Sequence, residues 1–357
     1  MLTLNRKFLS YANLKSLLVI VLILSACSSA QLTKEVSSPT RVATVIDPSR
    51  SPSITTDSST HNLTDNAITT QDNIINPSPK VGSTINPEQT VNFPANKPTV
   101  LSPNNWMSLP IIPMVSETAR MIYKHGLEMG NDPHAFSKIG DCQSISTYFL
   151  SYFDLAGYYN LGAFTSLQET IDWFSGSFSR DSLAVKGGFN AAAVLSPLRA
   201  DPKQCNVNES PIACEFRLHH PSIAIISLEE WWAGHPENYE TYMRQIIEYA
   251  IDQGVVPIIT TKADNLEGNN LINQTIANLA MEYDIPLWNF WSAVQSLPNH
   301  GLIAADSSGE ADMFHLTHSE GYYYYNDPTA TRSGWSVRNL TALQSLDTVR
   351  RGLSEQP

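Results

Sequence analysis

The sequence predicts an α/β protein: a three-layer α/β/α sandwich on a mainly parallel sheet. Three observations carry this. Short apolar segments alternate with longer segments of helical periodicity through the C-terminal part of the chain. Residues 222–227 read as a continuous apolar strand, the pattern of a strand buried on both faces. Successive strands are separated by crossover-length stretches, as a parallel sheet covered on both sides requires.

Taken in order, the domain opens near Met107 with an apolar stretch. A helix follows over residues 116–130. Residues 135–140 form the first core strand, which stops at Gly140-Asp141 and turns straight into a helix over 144–153 with an aromatic face. Residues 165–173 read as helical. Residues 182–186 form a second strand ending at Gly187-Gly188-Phe189-Asn190, and 191–195 start another helix. After the strand at 222–227, Tyr239, Tyr242, Ile246 and Ala250 recur at helical spacing within 236–253, and Gly254 suits a C-cap. Residues 255–260 are the next strand. The helix at 270–283 directs Leu271, Ile272, Ile276, Leu279 and Ala280 to the core. Residues 285–289 are the last strand, and 336–352 a terminal helix.

The first hundred residues are different. Arg6, Lys7 and Lys15 precede an apolar run over 17–24, then Leu24-Ser25-Ala26-Cys27. A basic start, a short apolar core and small residues before a cut describe a secretory signal. The run is too short to span a bilayer comfortably. Cys directly after Leu-Ser-Ala resembles a bacterial lipobox, which implies cleavage before Cys27, its lipidation and an extracytoplasmic membrane anchor. A plain signal peptide with an incidental Cys is the alternative. Each buried methylene of such an anchor adds about 0.8 kcal/mol. Residues 28–105 are rich in Ser, Thr, Asn, Pro and Asp and nearly free of aromatics. They cannot bury enough apolar surface to offset their ordering entropy, and read as a tether. Residues 106–357, roughly 250 residues, suffice for one domain.

The net charge of −12 leaves no basic stripe to track phosphates, which argues against nucleic acid. Of the four cysteines, Cys205 and Cys214 enclose a short loop, and in an exported protein such a pair suits a disulfide. A zinc reading is weaker, because the spacing is long and a second pair is missing. Cys142 remains, either buried and inert or reactive. At the carboxyl end of a strand it occupies the edge where open α/β sheets bind ligands, and a helix N-terminus there would lower a thiol pKa. Far downstream, Asp312 and His315 offer a carboxylate and an imidazole three residues apart. Together they suggest a Cys-His-Asp acyl-transfer site.

These loops resemble the SGNH, or GDSL-like, hydrolase family over about residues 135–317. Gly140-Asp141-Cys142 matches that family's first block, with Cys in place of the nucleophilic Ser. Gly188 resembles the second-block glycine, whose backbone N–H helps to hold an oxyanion. Asp312 and His315, followed by Leu316-Thr317, match the fifth block. Thr261-Lys262-Ala263-Asp264 and Leu287-Trp288-Asn289-Phe290 also look like members of this family. The resemblance implies hydrolysis or transfer of an acyl ester, on a small-molecule or glycan ester, with no cofactor. One block departs: Glu229, or Glu230 if the loop is shifted by one residue, falls where the family has an Asn that donates to the oxyanion. An ionised carboxylate would repel that charge, and loss of one donor costs about 10²–10³ in rate. A protonated Glu229 would act as a donor, and Trp231 and Trp232 would supply an apolar setting for it.

Other readings stay open. Glu230, Trp231 and Trp232, with Asp141, suit contacts to a sugar, so a binding module on a hydrolase scaffold is the second hypothesis. Tyr322-Tyr323-Tyr324-Tyr325 either lines the same mouth or packs on the sheet edge. A divalent metal held by Asp141, Glu229, Glu230, Asp312 and His315 ranks last, since no spacing is diagnostic. Ser144 reads as a cap or surface hydroxyl rather than a nucleophile. Asn190 reads as an N-cap rather than an oxyanion donor. His219, His220, His300 and His318 read as surface or loop residues.

Overall fold

Four strands form one parallel sheet in the order β1 (Asp132–Gly140), β2 (Pro221–Ser227), β3 (Val256–Thr260) and β4 (Leu287–Trp288). The computed structural model describes residues 105–228, 237–304 and 314–354. All of these belong to one compact unit, 92–357. The segments read from the sequence as a secretion signal and a tether, with Cys27, lie outside the described residues up to residue 104, as do Glu229, Glu230, Trp231, Trp232 and Asp312.

The helices are α1 (Glu117–Met129), α2 (Gln168–Trp173), α3 (Ala191–Leu195), α4 (Pro211–His219), α5 (Glu237–Asp252), α6 (Leu271–Tyr283), α7 (Phe290–Val294) and α8 (Gly334–Ser354). Strands that add in sequence order through right-handed crossovers place their connecting helices on one face. Here α5 and α6 pack on each other and on β3. The other face must be covered by helices outside the alternation. These are α1, on β2 and β3, and α8, on β4 and α1. The core is apolar on both sides: Ile223, Ala224, Ile225 and Ile226 of β2 are all buried. Burying each of these isoleucines contributes about 1.5–3 kcal/mol.

Local chemistry sets the element ends. The Ser116 hydroxyl accepts the Ala119 N–H at 3.0 Å, and left-handed Gly130 closes α1. Asn190 caps α3 by accepting the Ala193 N–H at 3.0 Å. Ser210 caps α4 in the same way, at 3.4 Å from the Ala213 N–H, with Pro211 in its first turn.

Three expectations need correction. Residues 182–186 are not a strand but one bridge, Val185 to Gly140. The Leu183 N–H is taken by Glu215 at 2.9 Å, and the chain then turns back through Lys186–Phe189, so no ladder can extend. Residues 144–153 are not one helix. A 3₁₀ turn, Cys142–Ser144, and a second, Ser151–Asp154, flank Leu150, which is left-handed at φ 67°. Asn339 of α8 holds that conformation, accepting the Leu150 N–H at 2.7 Å and donating to the Tyr148 carbonyl at 3.1 Å. A tertiary hydrogen bond has displaced the helical one. Leu271 is 42 % exposed rather than core-facing, because α6 begins directly after left-handed Asn269 and Asn270.

Both the N–H and the carbonyl of Gly140 point to the 184–186 segment, at 3.0 and 3.3 Å. That segment therefore lies on the edge of β1 opposite β2. The chain leaves β1 to one side and returns on the other, which makes the carboxyl end of β1 a topological switch point.

Candidate functional site

Cys142 is the second residue beyond β1, at that switch point. Asp141 starts the 3₁₀ turn, its Oδ1 accepting the Gln143 N–H at 2.9 Å and its carbonyl the Ser144 N–H at 3.1 Å. Only glycine fits before it. A Cβ on Gly140 would come within 2.1 Å of Ser144 Oγ and 2.7 Å of the Ser227 carbonyl. Ser144 is buried beneath the turn, its hydroxyl 3.4 Å from that carbonyl, so of the two expected roles, cap or surface hydroxyl, the surface one is ruled out. Asp141 is wholly buried and shapes the turn, which does not suit the substrate contact expected of it.

Cys142 Sγ lies 3.7 Å from His315 Nε2, within hydrogen-bond reach for sulfur. The thiol is 6 % exposed. The imidazole comes from a segment fixed on both sides. The His315 carbonyl accepts the Ile303 N–H at 2.9 Å, Leu316 bridges Leu302, and Thr317 binds Gly301 and the start of α8. Gln143 ties the two halves together, its amide N–H donating to the Phe314 carbonyl at 2.8 Å. Nothing in the sequence singled out Gln143. Its place directly after the thiol was the available signal.

Gly187 packs against the site, since a Cβ there would meet Cys142 Cβ at 3.9 Å and Ile145 Cδ1 at 4.0 Å. Gly188 follows at φ 78° and faces open space. A left-handed, side-chain-free residue next to Gly187 leaves open space near the thiol.

Arg338 of α8 was also missed, because a cation on a terminal helix reads as solvated surface. It is wholly buried behind the turn. Its Nε donates to the Gln143 carbonyl at 3.2 Å and its Nη2 to Ser227 Oγ at 2.7 Å. The rings of Phe149, Trp288, Phe290 and Trp335 enclose the guanidinium at 5.0–6.0 Å.

The remaining motifs are scaffold. Lys262 is buried with its Nζ 2.7 Å from Asp264 and 2.6 Å from Glu267. Burial pulls that ammonium down, but the two carboxylates outweigh it and hold it above its usual range. Asn289 accepts the Ser292 N–H and donates to the Trp106 and Leu109 carbonyls. Tyr323 and Tyr325 are buried, and Tyr322 packs against Tyr152, so the tyrosine run is mainly packing. Cys205 and Cys214 form a disulfide. With Glu209 they are the only three-ligand group among the described residues, and the disulfide takes both thiols. A cleft of about 390 Å³ between Leu109–Ser116 and the end of α6 lies at the start of β4 and shares no residue with Cys142 or His315.

Comparison with known protein families, curated proteins and solved structures gives no match to this chain.

Proposed function

We propose that the protein is a thiol-dependent acyl-ester hydrolase or acyltransferase of the SGNH type, held to the cell envelope through a lipidated Cys27. One observation carries the reading: Cys142 and His315, 173 residues apart, meet at 3.7 Å at the switch point of a parallel sheet. His315 takes the Cys142 proton, with Asp312 orienting the imidazole. The thiolate attacks the ester carbonyl, and its electron pair moves onto oxygen beside the Cys142 and Gly188 N–H groups. As the tetrahedral species collapses, the C–O bond breaks and the alcohol leaves with the proton from His315. Water, deprotonated by His315, then cleaves the thioester to free acid and thiol. An acceptor alcohol in place of water gives transfer. Sulfur needs less help from a base than a hydroxyl does, so Cys at this position is compatible with turnover. The substrate class, a small-molecule or glycan ester, rests on the family resemblance and the expected location.

The test is turnover of p-nitrophenyl acetate and butyrate by the full-length chain, by Cys142→Ala and by His315→Ala, with mass spectrometry for an acyl adduct. The expected result is an adduct on Cys142 in the wild type, no turnover in Cys142→Ala, and turnover down about 10²–10⁴-fold in His315→Ala. Equal rates in all three proteins without an adduct would overturn the reading. The glycan-binding module would then lead, with Trp231→Ala as its probe.

A further inference from the structure

A thiol at the N-terminus of a long helix would draw on the helix dipole. Here the turn after Cys142 is three residues of 3₁₀ helix and ends at Ile145. Its few aligned peptides supply little of that field. Any standing positive charge at this turn must come from a side chain. Arg338 is buried and reaches the turn directly, through the carbonyl of the residue next to Cys142.

We propose that Arg338 is a positioning residue that supplies the fixed positive charge stabilising the Cys142 thiolate, while locking the Cys142 turn to the end of β2. The proposal rests on Cys142 being the nucleophile. Three observations support it. The guanidinium is permanently charged and walled off from water by four aromatic rings, where its field is screened far less than at a surface. Its two donor groups grip different elements, Gln143 after β1 and Ser227 at the end of β2, so the charge cannot drift from the turn. The neighbouring residue on α8, Asn339, grips Tyr148 and Leu150 further along the same segment. Two adjacent side chains of the terminal helix thus hold the path from Cys142 to Leu150. The other ionisable groups brought to the turn by the described residues are Asp141 at its start, His315 against the thiol, and Lys186, whose backbone N–H pairs with Gly140. Asp141 opposes a thiolate, and His315 favours one only while protonated. Arg338 is the charge that does not change with pH.

The experiment is the pH dependence of Cys142 alkylation by iodoacetamide, read on the Cys142 peptide by mass spectrometry. The full-length chain is compared with Arg338→Met, Arg338→Gln and Arg338→Lys, and ester turnover is measured in parallel. Removal of the charge in the Met and Gln variants is expected to move the alkylation midpoint up by about one pH unit. Lys, which keeps the charge but not the two-pronged grip, restores most of it. Met fits the aromatic cage, and Gln serves if Met does not fold. A packing role alone would lower thermal stability without moving the midpoint. Coincident profiles for the wild type and the folded variants overturn the proposal, even where wild-type turnover upholds the esterase reading. A shifted midpoint supports the charge effect, and absent wild-type turnover would then sink only the esterase reading.

Discussion

Lys138 Nζ donates to Ser146 Oγ at 2.7 Å and to the Phe178 carbonyl at 2.9 Å, entirely within the protein interior. Burial, then the nearby Arg180, pulls this ammonium down from 10.5 to about 7, while Asp181, Glu215 and Asp154 pull the other way. In the unfolded chain the ammonium keeps its usual value. Above pH 10.5 the lysine is neutral in both states and costs nothing. As pH falls towards 7 the unfolded state gains a proton that the folded state refuses, so stability is lost at about 1.4 kcal/mol per pH unit. Below pH 7 the loss is complete and constant. Urea unfolding at pH 7, 8 and 9 should therefore show the wild type gaining on Lys138→Met by roughly that slope. A difference that stays constant across this window would show that Lys138 does not titrate there.

Gly140 and Gly187 flank the same thiol and should respond unequally to alanine. At Gly140 the new methyl meets the Ser227 carbonyl at 2.7 Å and Ser144 Oγ at 2.1 Å. The backbone oxygen has no room to yield, so Gly140→Ala should cost about 1–3 kcal/mol in urea unfolding. At Gly187 the nearest atoms lie at 3.9–4.0 Å, and stability should change by less than about 0.5 kcal/mol. Equal stability losses in the two variants would contradict this account of the turn.

Glu215 of α4 sits at the root of the segment that reaches the site. Its wholly buried carboxylate accepts from Ser137 Oγ at 2.7 Å, Arg180 at 2.5 Å and the Leu183 N–H at 2.9 Å. Glu215→Gln keeps the shape but leaves Arg180 without its counter-charge. Because Arg180 is one-fifth exposed, the cost should sit near the lower end for a broken buried pair, about 3 kcal/mol. Loss of the Leu183 tether should also loosen Gly187 against Cys142 and slow ester turnover. Unfolding of the variant at the wild-type urea midpoint would rule this out.

Much of this was legible because it depends on neighbours in sequence. Helical spacing in 236–253 and the apolar run at 222–227 marked α5 and β2, and Asn190 was readable as a cap. The thiol at the end of β1 and the distant imidazole were nameable from the chain, though not their separation. What misled was the stretch after Cys142. Its aromatics suit a helix, but Asn339, nearly two hundred residues away, offers the Leu150 N–H a better partner and turns the backbone left-handed. The strand expected at 182–186 was lost in the same way, to Glu215.

By itself the sequence determined the alternation of strand and helix, the turn at Gly140-Asp141-Cys142 and the net acidic charge of the chain, since periodicity, turn chemistry and net charge are local or additive. Only the tertiary structure decided that His315 meets Cys142, that Lys138, Glu215 and Arg338 are buried, and that a short 3₁₀ turn bound by a guanidinium, rather than a long helix, follows the thiol. Those outcomes depend on which distant groups share a low-dielectric interior. There, a buried donor or charge takes whatever partner the packing brings within about 3 Å, and sequence separation places no limit on that choice.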